Sequence, residues 1–260
     1  MQAAILPMKA GFEWIQQGWK IFVSQPLPLF MWSMFIGILI NLSYVFIIVG
    51  QVALFIVTPM LTFLTLSACK RVQQNQKLNI GNWFEPLKNR PEVRKELLKL
   101  GGMYLVFCLV AAFISTLPFI SGFDSVITAD GEINQAALGA AISGPMIVFG
   151  FLYVLVSALF WHAPALIGWH KIQITQAMFY SMVACWRNKW PFLVYGASWA
   201  ALFFVLYKLT SILAGVGISV GALQFLLTPL NLVLVAVLYC SFYPAYLSVF
   251  GNNSRFGQST

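Results

Sequence analysis

Charge is what this sequence has least of. Asp, Glu, Lys and Arg make up 8% of its 260 residues, against about 25% in an ordinary soluble domain. A water-facing sphere of this length could not be solvated by so few charges, so a conventional globular fold is excluded. There are 7 acidic residues and 2 histidines, which leaves little material for carboxylate pairs or metal centres. The 4 cysteines, widely spaced, do not suggest a disulfide-stapled secreted module. Apolar residues dominate instead, with 60% hydrophobic content, 23 Phe, 9 Trp and a mean hydropathy of +0.83. Such a chain is neither disordered nor water-soluble; its main solvent is lipid. The net charge of +8 follows membrane topology rather than forming a stripe along a polyanion, so no nucleic-acid partner is expected.

A hydrocarbon core of ~30 Å takes about 20 apolar residues as helix. No charged side chain occurs between Leu27 and Cys69. That length suits two crossings joined by a tight turn, at Gly50-Gln51 or at Asn41-Leu42-Ser43. Further spans read at 102–121, 145–167, 192–212 and 223–250. Six crossings bring both termini to one side. Lys and Arg in short loops stay cytoplasmic, and every basic residue except Lys208 falls on that one side, Arg255 in the tail included. The expectation is a multi-pass protein of the bacterial inner (plasma) membrane with cytoplasmic N- and C-termini. No basic stretch runs into a short apolar core and a small-residue cleavage site, so the first span is expected to act as its own insertion signal. Cys69, Cys108, Cys185 and Cys240 are expected to be free thiols used as small apolar side chains.

The loops echo one another. Lys77-Leu78-Asn79-Ile80-Gly81-Asn82 and Lys171-Ile172-Gln173-Ile174-Thr175-Gln176 share one pattern: Lys, branched aliphatic, carboxamide, Ile, small, carboxamide. Each even-numbered span also carries a proline before its basic end, namely Pro59, Pro164 and Pro244, where the lost hydrogen bond is expected to kink the helix. The fold class expected is therefore an all-α membrane protein. It is a single membrane domain, 1–260, of six transmembrane helices in three hairpins, with a threefold internal repeat over 1–79, 80–173 and 174–260.

Amphipathic cytoplasmic interfacial helices form the second feature. Phe12, Ile15, Trp19 and Phe22 make an apolar stripe opposite Glu13, Gln16, Gln17 and Lys20. In 174–190, Met178, Met182 and Trp186 are apolar while Gln176, Tyr180 and Arg187 are polar. Trp186-Arg187 before Pro191 parallels Trp19-Lys20 before Pro26, and Pro91 can open a helix whose Val93, Leu97 and Leu100 lead into the third span. Phe12, Trp19, Lys20, Trp186 and Arg187 are the candidate lipid contacts. The alternative is that these helices pack on the bundle's own ends.

The run Phe160-Trp161-His162-Ala163-Pro164-Ala165-Leu166 and the run Arg187-Asn188-Lys189-Trp190-Pro191-Phe192-Leu193-Val194-Tyr195-Gly196 resemble a group of proteobacterial multi-pass inner-membrane proteins. The similarity covers most of the chain and is strongest over 160–196. Such proteins look distantly similar to the membrane halves of some glycerophosphodiester phosphodiesterases, for whose catalytic half this chain has no room. The resemblance implies architecture and compartment, with no assigned activity, substrate or cofactor.

Catalytic constellations are hard to assemble. His162 and His170 lie about 80° and ~12 Å apart on a helix, a poor pair for one metal, and are read as capping the fourth span among headgroups. All acidic residues lie outside the spans, and Asp124, Asp130-Gly131 and Glu132 lack the alternation of a calcium loop. Gly217 and Gly221 form either a helix-packing motif or a loop. The expected role is non-enzymatic and without a cofactor: lipid interaction, or scaffolding of an envelope assembly, with membrane lipids and either a membrane-protein partner or a second copy as partners. The alternatives are an accessory subunit of a larger complex, or a carrier of an amphiphilic solute. The carrier reading needs Asn41, Gln51, Gln224 and Asn231 to converge at mid-membrane.

Overall fold

The computed structural model describes residues 3–127 and 131–251; Asp130 and Arg255 lie outside the described residues. The chain is helical. α1 (Ala10–Ser24) is followed by the hairpin α2 (Pro26–Val45) and α3 (Ile47–Gln73). The short α4 (Glu85–Lys88) precedes α5 (Pro91–Thr116), which pairs with α6 (Gln135–Phe160). After α7 (Ala163–His170) and α8 (Ile174–Arg187) come α9 (Lys189–Gly215) and α10 (Val220–Phe250). Among the described residues six segments are long and apolar enough to cross a bilayer, and they include all the spans expected from sequence.

Several boundaries follow from local chemistry. Proline opens α2 and α5 near position N1, where a missing N–H costs nothing. The first hairpin turns at Phe46, between the two sites the sequence offered. Gly50 is needed for closeness rather than for bending, because a Cβ there would run into the Ser43 carbonyl. Gln51 Nε2 then donates to Ser43 Oγ across the turn (3.2 Å). The third turn does use a flexible glycine: Gly217, between α9 and α10, has φ +95°.

Pro59 and Pro244 lie inside α3 and α10, as do Pro145 in α6 and Pro229 in α10. Pro164 does not kink a helix. The fourth span breaks after Phe160, and Pro164 sits in the first turn of the separate α7. Ser181 of α8 repairs the break, donating to the Ala158 carbonyl (2.7 Å) and accepting from the His162 N–H (2.9 Å). A proline that loses a hydrogen bond can either bend or restart a helix; here a neighbouring hydroxyl stabilises the restart.

The densest packing lies at the end that carries Lys70, Lys95, Lys171 and Lys189, called here the basic end. Trp14 of α1 is buried against Phe192 and Tyr195 of α9, and its Nε1 donates to Ser248 Oγ of α10 (2.8 Å). A Cβ at Gly11 would meet the Pro191 carbonyl and one at Gly18 the backbone of Ser241, so α1 rests directly on α9 and α10. Trp83, just before α4, packs edge-on against Trp32 of α2 at 5.2 Å. α8 lies against α6 and α7.

Two carboxamides tie these pieces together in the same way. Gln25, between α1 and α2, accepts from the Leu78 N–H and donates to the Gln76 carbonyl (both 2.8 Å). Asn188, between α8 and α9, accepts from the Leu6 N–H (2.9 Å) and donates to the Ala4 carbonyl (2.8 Å). Each side chain thus holds an extended strap by an N–H and by the carbonyl two residues earlier.

Candidate functional site

α1 presents three faces. Gly11, Trp14, Gly18 and Ile21 are buried on the bundle. Glu13, Gln17, Lys20 and Ser24 form a polar face, with Glu13 in an ion pair with Lys9 (3.4 Å). Between them Phe12 and Trp19 stay 52% and 51% exposed. Phe22, expected on the same stripe, is instead only 6% exposed and belongs to the core. The exposed strip borders a groove of about 400 Å³ whose other walls are Trp199, Leu202, Leu234 and Val237. Trp19 and Lys20 stand together at its edge.

α8 has the same arrangement. Ala177, Met178, Ser181 and Ala184 are buried, Gln176 and Arg187 are exposed, and Phe179 and Trp186 expose 62% and 64% of their surface. Its groove, about 580 Å³, runs between α6 and α9 along Val154, Ala158, Trp161, Phe192 and Leu193 to Met182 and Trp186. The cation at its mouth is Lys189, which sequence reasoning passed over. Its Nζ lies 5.2 Å from the Trp186 ring centre and 5.8 Å from that of Trp190. Arg187 does not line the groove. The signal that could have found Lys189 was its place between two tryptophans.

The two histidines do different things. His170 Nε2 and the Tyr246 hydroxyl lie 2.8 Å apart at the basic end. His162 is only 1% exposed, among Phe192, Tyr246 and Phe250; it cannot meet headgroups. Its position follows from the helix break, which turns residue 162 inward. Among the described residues no three His, Cys, Asp or Glu side chains come together as metal ligands.

The four amides of the carrier reading do not converge. Asn41 donates to its own helix at Gly37 (2.8 Å), Gln51 binds Ser43, and Gln224 and Asn231 are exposed on α10. Thr228 next to Pro229 returns its hydroxyl to the Gln224 carbonyl (2.7 Å), and Thr58 next to Pro59 to that of Leu54 (2.7 Å). A cavity does exist between the hairpins, but hydroxyls and rings line it rather than amides.

Six long apolar helices, with grooves that open between them, define a multi-pass membrane protein. A probable inner membrane protein of Burkholderia thailandensis is 30% identical over 259 residues, covering 96% of this chain and 94% of that one. The chain belongs to the same family of inner membrane proteins, whose name states a compartment and no activity. No family model and no solved structure matches it.

Proposed function

We propose that this protein is a non-enzymatic, lipid-holding component of the inner membrane, with the basic end and both termini in the cytoplasm. The observation that carries the reading is the repeated combination of an apolar groove between spans, an exposed tryptophan and a cation at its mouth. An acyl chain would lie along the groove wall, the indole would sit at the carbonyl level, and Lys20 or Lys189 would meet the phosphate. Here α1 and α8 act as amphipathic interfacial helices, with bundle, lipid and water each taking one face. Lys77, Lys88, Arg90, Arg94 and Lys95 add attraction to an anionic leaflet, about 1 kcal/mol each near the surface.

The same reading takes the chain as three related units, 1–79, 80–173 and 174–260, closed into a ring. The support is a cyclic pattern: α1 sits under the third hairpin, Trp83 under the first and α8 under the second. The Asn188 clamp joins the third unit to the first, while the Gln25 clamp holds the strap that leads from the first unit into the second.

The test replaces Trp19 and Trp186 by Ala and follows amide hydrogen exchange in bilayers containing anionic lipid. Faster exchange in α1 and α8, with native mass spectrometry showing fewer retained phospholipids, is expected; unaltered protection removes the lipid-contact role. Labelling by a membrane-impermeant thiol reagent tests the orientation, with cysteine placed at Arg90 expected to stay unmodified in intact cells.

A further inference from the structure

The grooves face outward, but Thr58, Thr62, Thr65, Tyr104, Tyr153 and Tyr239 gather around a cavity among the hairpins. Two adjoining lobes, about 270 and 170 Å³, lie between the three hairpins and share Thr58, Thr62, Tyr104, Tyr153 and Phe242. Their walls come from α2, α3, α5, α6 and α10, with Thr58 near the middle of α3 and Tyr104 five residues past Lys99, where the apolar part of α5 begins. We propose that this cavity binds an uncharged, mostly apolar molecule through a carbonyl oxygen, at a site apart from the α1 groove and walled off from the α8 groove by Tyr153, Ser157 and Trp161, which line both.

The hydrogen-bond inventory leads there. Thr58 and Thr62 donate to the Leu54 and Thr58 carbonyls (2.7 and 3.0 Å), so toward the cavity they can only accept. Thr65 is saturated, donating to the Leu61 carbonyl and accepting from Trp32 Nε1 (2.8 and 2.9 Å). Tyr104 and Tyr153 share one hydrogen bond of 2.9 Å, and the Cys108 sulfur stands beside Tyr104 as a weak acceptor, so this pair is satisfied without a ligand. Tyr239 lines the larger lobe, and its hydroxyl has no hydrogen-bond partner among the described residues. The O–H donors of Tyr239 in the larger lobe and of Ser157 in the smaller one are therefore left over among apolar walls, where an unmet donor is costly. Their complement is an acceptor. No side chain with a formal charge lines either lobe, so a charged ligand would lack a counter-ion and is excluded. The remaining walls, Ile36, Ile40, Leu54 and Phe55 among them, suit a hydrocarbon body.

Purified protein in nanodiscs is exposed to three probes and read by native mass spectrometry. They are a benzoquinone with one isoprenyl unit, a short-chain diacylglycerol, and an isoprenoid hydrocarbon without oxygen. Binding of either carbonyl probe, with the hydrocarbon at least about tenfold weaker, supports the proposal. The probe that binds distinguishes a quinone ring from an ester lipid. Tyr239→Phe is expected to weaken binding about fivefold, the scale of one hydrogen bond. Ile40→Phe, which fills the larger lobe, is expected to abolish it, while Trp19→Ala, whose groove shares no wall with the cavity, leaves it unchanged. Equal binding of the hydrocarbon, no binding of any probe, or wild-type affinity in Tyr239→Phe overturns it. Should Ile40→Phe melt early in detergent, Tyr239→Phe alone decides.

Discussion

The two halves of this bundle are built on different terms. In α3 the buried residues begin at Pro59 and continue to Val72, with none before. In α9 they end at Trp199, and in α10, Leu223 apart, they start at Ala236. The basic half is thus a packed aromatic core, where Trp14, Trp32, Phe63 and Leu166 are almost fully covered. In the other half Phe151, Val205, Phe225 and Ile48 face outward. Water would punish such a surface, but a bilayer does not, because lipid tails are as apolar as the side chains they meet. Association in lipid depends on close fit, and the fit here is concentrated at one end. The hydroxyl-lined cavity lies where the close packing gives out.

The largest expected effect separates two neighbouring glycines. A Cβ at Gly101 would collide with the backbone of Ile56 in α3, whereas one at Gly102 meets nothing within 4 Å. Gly101→Ala should cost about 3 kcal/mol, as overpacking against backbone does. Gly102→Ala should be neutral or gain up to about 1 kcal/mol from helix propensity. Thermal melting in one detergent checks both; equal melting temperatures would break the claim that fit drives the basic half. Next comes Leu97→Ala at a fully buried site, expected to cost about 2 kcal/mol from the cavity it leaves. Phe225→Ala in the far half, 81% exposed, should stay within about 0.5 kcal/mol.

Much of this division could be read in the chain beforehand. The six spans were legible because charge is absent over long stretches and reappears at one set of ends. Helical periodicity separates polar from apolar residues, and on α8 it grouped the buried Met178 with the exposed Trp186 and passed over the exposed Phe179. It does not separate an apolar face that meets the bundle from one that meets lipid, so Phe22 was misplaced. Gly11 and Gly18, which mark the bundle-facing side, carry no hydrophobic signal. Pro164 was read as a kink because its repair by Ser181 depends on a helix that comes later in the chain. The cavity escaped because the amides, the most polar groups in the spans, drew attention from hydroxyls that only tertiary packing assembles.

The two clamps give a finer test within the basic half. Asn188 is fully buried and makes a third bond to the Ala184 carbonyl (3.0 Å), while Gln25 is half-buried and bonds the Gln76–Leu78 strap at the surface. Asn188→Ala should cost about 2 kcal/mol and expose the Leu6 amide to exchange; Gln25→Ala should cost about 1 kcal/mol or less and free Leu78. Loss of protection at Leu6 and Leu78 by equal amounts would show that burial does not grade the two sites.

The smallest effect on stability contrasts the tips of two hairpins in the far half. Tyr44, Val45, Phe46, Ile47, Ile48 and Val49 are all more than 60% exposed and none is charged, so the first tip has no group to hold it in water. The second tip carries Asp124 and Ser125. A hydrocarbon solvent for the first and water for the second follows from composition alone. Ile47→Cys and Ser125→Cys should each shift stability by less than about 0.5 kcal/mol. A membrane-impermeant thiol reagent should nevertheless modify only the cysteine at position 125, since the four native thiols are buried or half-buried. Equal labelling would mean that the first hairpin carries its apolar tip into water, a cost that only a covering partner could offset.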